Sequence, residues 1–495
     1  MLENILNTHW DFIIIGTGIS GGTAGYALAK KGKRVLFIEK GKSRKELKNE
    51  LIAGEFPEER QSFIASEAEK IKTLKSALRC STTITDSTNP ENKVSFVPLI
   101  GSGVGGSSTI YGAALERFFP EDFTPTTYFS HLKDANIADW PISFNDLEKY
   151  YQEAEVLYDV YGGVDPLRDS FQSKTLKKRK LSPVGEKVDS LLRKKNLHPY
   201  HLPVGHPPHH ETTCEGCQAT LCLPGDKKGS YEACIQSAID DYGATLLEDC
   251  EVLSIDHTEK SATAVLCEYK GKLVSIHGNK FILAAGTLFT PAILLKSKSK
   301  FFKQGLANNS GVVGKNLCRH YFDLAMINLN PHQNMGYHEK ELAFNDFYIW
   351  ENEKLGTVQS LSNPPHFLSA YHEMHAEKKY HGIFYSLYLL IIKLFGRRIY
   401  NKMMHDSLCF AVIMEDVSYL DNRIEVDENN NINLFYKMRP ESFKRLKIFR
   451  NLIKKSFSPY KVKFHPQAQN NQRLAHATGT CRMGTDPKKS VVDKM

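Results

Sequence analysis

The sequence predicts an α/β protein with a Rossmann-like nucleotide-binding domain, and two stretches carry that expectation. In the first, "DFIII" (Asp11 to Ile15) runs into "GTGISGGTAGYALAKKGK" and then "RVLFIEK", which reads as strand, glycine turn, helix and second strand. In the second, "KFILAAGTLFTPAILLKS" has a similar strand, glycine turn and helix layout far along the chain.

Consecutive β-branched and aromatic residues suit a parallel strand buried on both faces. Gly16, Gly18 and Gly21 form a G-x-G-x-x-G pattern after it. Gly16 permits the tight turn, Gly18 lets the backbone approach a pyrophosphate, and Gly21 lets the helix pack close to the strand. The helix N-terminus then offers free N–H groups to phosphates. Glu39 ends the second strand, 21 residues after Gly18, where a carboxylate can accept from ribose hydroxyls. An unphosphorylated ribose fits NAD and FAD equally, so this unit alone does not choose the cofactor.

Residues from about Leu47 to Val97 are polar and weakly patterned and receive no assignment. "LIGSGVGGSSTIYGAALERF" reads as a second backbone cradle, followed by apolar residues at helical spacing. In "WPISFNDLEKYYQEAEVLYDVYG", Ser143 stands three residues before Asp146 as an N-cap, and Leu147, Tyr150, Tyr151, Ala154 and Leu157 form the apolar face of a helix. From Gly243, "GATLLEDCEVLSIDH" and "TAVLCEYKGKLVSIHG" read as strands with a Lys-Gly turn, and Asn422 to Met438 as a hairpin with an Asn-rich turn.

The 495 residues, 41% of them hydrophobic, allow one large core or two ordinary ones. A net charge of +8 from 64 basic and 56 acidic residues, interspersed, argues against a nucleic-acid partner. The densest basic run, Lys174 to Lys180, lacks interleaved aromatics and reads as a solvated loop. Ten cysteines in so long a chain are no disulfide framework and the N-terminus has no signal-peptide pattern, so a reducing, cytoplasmic setting is expected. "FYSLYLLIIKLF" (Phe384 to Phe395) is too short to span a bilayer. It is expected to be a buried core helix, with a membrane-surface helix over 384–398 as the other reading. No histidine cluster has metal-ligand spacing, "GHPPHH" (Gly205 to His210) reads as loop, and no metal is expected. Cys214, Cys217 and Cys222 give C-x2-C-x4-C, read as free or structural thiols in preference to part of an iron-sulfur site.

Six segments then point to one family: "GVGGSSTIYGAALERF", "WPISFNDLEKYY", "SGVVGKNLCRH", "AAGTLFTPAILLKS", "NRIEV" and "HATGTCRMGTDPKKSVVD". In number, order and spacing they resemble the glucose-methanol-choline (GMC) family of FAD-dependent oxidoreductases, from about residue 10 to 493. The resemblance implies FAD, held covalently or not, in a discontinuous domain of residues 1–130, 210–320 and 465–495. It implies an α+β substrate domain of residues 131–209 and 321–464 over a mainly antiparallel sheet. Gly16, Gly18, Gly21 and Glu39 would hold the ADP half, Val252 would meet the adenine through its backbone, and Gly105, Gly106 and Ser107 would lie along the flavin. Tyr111 departs from the family's Asn, and an aromatic cannot reproduce an amide's donor and acceptor pair. His476 matches the histidine that takes the alcohol proton, with an ordinary imidazole pKa suited to that work; His320 also matches a family position and is read as structural.

The reaction so implied is hydride removal from the CH–OH group of an alcohol or sugar, giving an aldehyde, ketone or lactone, with a quinone or a protein as electron acceptor. Family members run on past their "SVVD" segment, so the resemblance also implies a chain lacking its C-terminal end. The alternative function is accordingly a truncated, catalytically impaired flavin-binding or interaction protein.

Overall fold

The computed structural model describes residues 2–60, 65–168, 173–208, 219–328, 339–362, 367, 371, 383–398, 400, 407–474 and 476–494. Its first sheet is built around strand Trp10–Ile15, which lies between Val35–Ile38 and Lys272–Leu283, parallel to both. Thr245–Leu247 extends the sheet beyond Val35–Ile38, again in parallel. Ile13 and Ile14 are fully buried on opposite faces: Ile13, Ile15, Leu36 and Ile38 pack into one cluster, Ile14, Val35 and Phe37 into another. Side chains alternate across a strand, so the run of apolar residues fills both layers.

The two later segments read as separate strands, "KLVSIHG" and "KFIL", form one 12-residue strand, Lys272–Leu283. Its second half pairs with Trp10–Ile15 in the parallel sheet. Its first half pairs with Ala262–Tyr269, which turns back on to Cys250–His257, all antiparallel.

A second sheet of six strands is antiparallel throughout, in the order Lys461–Pro466, Tyr321–Asn328, Ser407–Met414, Gly356–Ser360, Leu342–Phe344, Tyr200–His201. All eight residues of Ser407–Met414 are buried, because helix Pro440–Ser456 contributes Leu446, Phe449 and Ile453 to the core that also holds Phe410, Val412 and Met414. The segment left unassigned contributes Ile84–Asp86 and Val94–Phe96 to a four-stranded sheet with the expected hairpin, Arg423–Val426 and Ile432–Phe435. No local pattern announced those strands because each is only three residues long.

Four expectations need correction. The helix Phe144–Leu157 has the Ser143–Asp146 capping box, but Tyr150 is 60% exposed and the residues it buries are Phe144 and Glu155. Glu155 is buried because Arg117 donates to it at 2.6 and 2.8 Å. Arg179 in the basic run is not solvated; it forms a fully buried ion pair with Glu339 at 2.7 Å. The apolar stretch forms helix Ile383–Ile391, continued by a π-turn over Ile392–Gly396, yet Leu387, Tyr388, Leu390, Ile391 and Phe395 are exposed and only Leu389 among the described side chains is deeply buried. The apolar residues after the second glycine loop form no helix: the loop itself ends in a 3-10 turn, Gly106–Thr109, and Ala114 beyond it makes an isolated bridge to Val204. Among the described residues no helix is long and apolar enough to cross a membrane.

Asp416 locks the ends of two inner strands of the second sheet, Tyr321–Asn328 and Ser407–Met414. It accepts from the hydroxyls of Tyr321 and Tyr436, both at 2.6 Å, and from the amides of Arg319 and Val417. Burial raises its pKa, against those hydrogen bonds. Asp416→Ala is expected to lower unfolding stability by about 3 kcal/mol, because buried donors to a charged acceptor lose their partner; a urea titration with an unchanged slope would measure it.

Candidate active site

The first glycine turn is shaped by close contacts. Gly16 has φ +94°, and a Cβ there would lie 2.6 Å from the Ala284 carbonyl oxygen. A Cβ on Gly21 would lie 2.0 Å from the Gly16 oxygen. Gly18 faces open space and precedes helix Ile19–Lys30, whose N-terminus has no side-chain cap. Its amides are thus left for a ligand, in the position where helix ends favour anions.

The second glycine loop lies directly on the first. A Cβ on Gly106, at φ +55°, would come within 2.8 Å of the Gly18 Cα. Gly105 is buried, Gly106 half-buried, and Ser107 is exposed, its Oγ accepting from the Gly101 amide at 3.2 Å. Thr17, which sequence reasoning passed over, joins the pieces. Its hydroxyl donates to Glu39 at 2.7 Å and accepts from the Gly105 amide at 3.1 Å, while its own amide donates to Glu39 at 3.1 Å. Glu39 therefore spends part of its accepting capacity inside the protein; a carboxylate has about four lone-pair sites, so acceptor positions remain. Burial raises its pKa, opposed by these hydrogen bonds.

Val252 is buried in the strand Cys250–His257, beside a register shift between Val252 and Ser254. A bulge of this kind leaves a backbone group outside the ladder. Tyr111 donates its phenol proton to the Lys228 carbonyl at 2.5 Å, and burial raises its pKa.

His476 is reached through the strand end that walls the first turn. The Thr287 hydroxyl, just past Ala284, donates to the Ala477 carbonyl at 2.7 Å, and Thr480 donates to the Thr287 carbonyl at 2.8 Å. Cys318 and Thr478 exchange both backbone hydrogen bonds at 2.9 Å, which sets the next residues face to face. His476 Nδ1 lies 3.0 Å from His320 Nδ1, with the rings at 89°. His476 adopts φ +50°, a left-handed conformation that costs a residue with a Cβ and persists where surroundings enforce it. His320 is clamped by its neighbours: Arg319 donates to the Ala468 and Asn470 carbonyls, and Tyr321 to Asp416.

Both imidazoles keep exposed surface although protein surrounds them closely enough to shift their titration, as expected of side chains lining a cleft. Burial, then the charge of His476, brings His320 down to about 3. Burial, then the charge of Lys340, lowers His476. Both are therefore neutral at pH 7, and one proton is shared between the facing nitrogens. Sequence reasoning set His320 aside as structural; the pairing joins residues 156 positions apart.

Cys222 is buried, whereas Cys214 and Cys217 lie outside the described residues. Among the described residues no group of three or more His, Cys, Asp or Glu is arranged to hold a metal. An elongated dinucleotide suits the cradle: an uncapped helix end, two glycine loops in contact, and a histidine pair tied by Thr287 to the same strand end.

Residues 197–322 and 426–495 match two models described as GMC oxidoreductase, and residues 14–43 match an NAD(P)-binding Rossmann-like domain. The chain is similar to 6'''-hydroxyparomomycin C oxidase of Streptomyces lividus, 24% identical over 98% of this chain and 83% of that protein. It is similar to paromamine 6'-oxidase of Streptomyces fradiae, 23% identical over the same shares. A structure of Aspergillus oryzae formate oxidase, solved to follow a mutation's effect on FAD modification, shares the fold with TM-score 0.58 and 13% identity, covering 98% of this chain and 91% of that one. With both halves of the family pattern matched in order on this Rossmann-like frame, the chain belongs to the GMC oxidoreductase family.

Proposed function

We infer that the protein is an FAD-dependent oxidoreductase that takes hydride from the CH–OH group of an alcohol or sugar, giving an aldehyde, ketone or lactone. The observation that carries this conclusion is the neutral pair His476 and His320, 3.0 Å apart in a cleft joined to the glycine cradle. The two Streptomyces relatives are named as oxidases, which supports an oxidative reaction. Gly16, Gly18, Gly21 and Glu39 hold the ADP half, the Val252 backbone meets the adenine, and Gly105, Gly106 and Ser107 border the isoalloxazine. When bound, FAD supplies the hydride acceptor.

His476 removes the hydroxyl proton. Its Nδ1 faces His320, so the nitrogen left for the substrate is Nε2. For Nε2 to be the acceptor, Nδ1 must carry the ring proton and donate it to His320 Nδ1. His320 thereby fixes the tautomer and stays neutral when His476 becomes charged. We place the FAD domain at residues 1–130, 210–320 and 465–495 and the substrate domain at 131–209 and 321–464. Electrons leave to a quinone or a protein. The exposed apolar helix over 384–398, with exposed Lys393, Arg397 and Arg398, supports contact with a membrane surface. The buried thiols of Cys80, Cys234, Cys250, Cys267 and Cys409, none in a disulfide among the described residues, support a cytoplasmic setting.

An anaerobic screen of sugars, polyols, choline, sterols and long-chain alcohols is expected to bleach the flavin with at least one class; a folded protein that binds no flavin would sink the proposal. His476→Asn, chosen because Asn tolerates a left-handed backbone, should slow flavin reduction by roughly 10²- to 10⁴-fold with flavin occupancy retained. The base form of His476 exists above its own pKa, which is lowered from 6.5. Flavin reduction should therefore hold its rate as pH falls towards 6.5 and drop only below it, measured by stopped-flow absorbance across pH; an acid limb centred above 6.5 would contradict the assignment.

A further inference from the structure

We propose that Glu415 anchors the substrate, and that the alcohol oxidised here carries a primary ammonium group, as an amino alcohol or an amino sugar does. This rests on the function proposed above and names its substrate class. Strands Tyr321–Asn328 and Ser407–Met414 pair antiparallel with Tyr321 opposite Met414. One step beyond, His320 stands opposite Glu415, and one step further the Arg319 amide donates to the Asp416 carboxylate at 3.1 Å, so the pair is bracketed on both sides. Residues directly opposite one another share a face, with Cβ atoms about 5 Å apart. Tyr321 and Asp416, joined at 2.6 Å, take the core face, which leaves His320 and Glu415 together on the other.

The Glu415 side chain keeps 30% of its surface exposed. Its Oε2 is enclosed and lies 2.6 Å from Lys354 Nζ, whereas its Oε1 is not enclosed and accepts no hydrogen bond among the described residues. Lys354 also holds Asp122 at 2.6 Å, so two carboxylates share one fully buried ammonium. Asp122 accepts in addition from the Tyr348 hydroxyl and the Phe119 amide, both at 2.6 Å. Behind them, buried Arg445 is offset by Asp416 and by Glu353, which lies 4.0 Å away. With both imidazoles neutral, one negative charge at this end of the cleft has no counter-ion, and the open oxygen that bears it is Oε1 of Glu415. Burial raises the pKa of Glu415 and the charge of Lys354 opposes that rise; a second cation on Oε1 would oppose it further. A half-buried carboxylate with one oxygen free is completed by a charged N–H donor arriving with the substrate, and a primary ammonium offers three such bonds.

The test is anaerobic flavin reduction by 1-pentanol, 1,5-pentanediol and 5-amino-1-pentanol, and by glucose and glucosamine, in parallel with calorimetric titration of the flavin-loaded protein. In wild type the amino member of a set should exceed its neutral match in kcat/KM by roughly ten- to a hundredfold. Glu415→Gln keeps the shape without the charge and should abolish that preference. Asp122→Asn also takes a carboxylate from Lys354 but should retain it, which separates holding the substrate from supporting the lysine. If Glu415→Gln fails to hold flavin, Glu415→Asp decides: the preference should persist, with the best amino alcohol in a graded series one carbon longer than for wild type. Equal use and binding of amino and neutral members by wild type, or a preference that survives Glu415→Gln, or an unchanged chain-length optimum in Glu415→Asp, would overturn the proposal. If no donor reduces the flavin, the oxidoreductase function fails, and the titration of wild type and Glu415→Gln with 5-amino-1-pentanol and the diol still decides the role of Glu415.

Discussion

A single buried hydroxyl, that of Thr17, holds together the three pieces of backbone on which the cradle depends. It is fully enclosed, gives its proton to Glu39 and receives one from the Gly105 amide. Buried polar groups are costly unless each is paired, so the hydrogen bonds also fix the distance between the two glycine loops. Within that distance there is no room for side chains, as the contacts at Gly16, Gly21 and Gly106 show. Ser230 closes the ring from behind by donating to the Thr17 carbonyl at 2.8 Å.

The cleft uses burial to opposite ends on its charged groups. Imidazoles lose their charge there and become acceptors, while buried Lys354 keeps its charge with the help of Asp122 and Glu415. Asp122 belongs to the cluster around Lys354, and both groups act on His320 weakly and in opposite directions. Burial and the charge of Lys340 both hold His476 towards its neutral form.

Much of the parallel sheet was legible because its information is local. The apolar strand, the glycine spacing at 16, 18 and 21, and Glu39 all fall within one βαβ unit, where period and turn chemistry suffice. The strands Ile84–Asp86 and Val94–Phe96 were not legible, since their partner is Ile432–Phe435 and nothing nearby specifies that pairing. Arg179 and Glu155 were misjudged for the same reason: a charged residue is buried only when its counter-charge arrives from elsewhere in the chain. His476 could be singled out from its neighbours, yet its contact with His320 required the backbone exchange between Cys318 and Thr478. Thr17 carried a usable signal, a hydroxyl inside the glycine turn, which was overlooked.

The central position of Trp10–Ile15 has a consequence for biosynthesis. One neighbour in the sheet, Val35–Ile38, is made almost at once, but the other, Lys272–Leu283, leaves the ribosome about 270 residues later, roughly 13 to 50 seconds at ordinary elongation rates. Through that interval a strand of isoleucines waits with one edge unpaired, a template for wrong partners. The chaperone demand of this polypeptide should therefore be concentrated on its first forty residues, during translation, before the loop bearing His476 has been made.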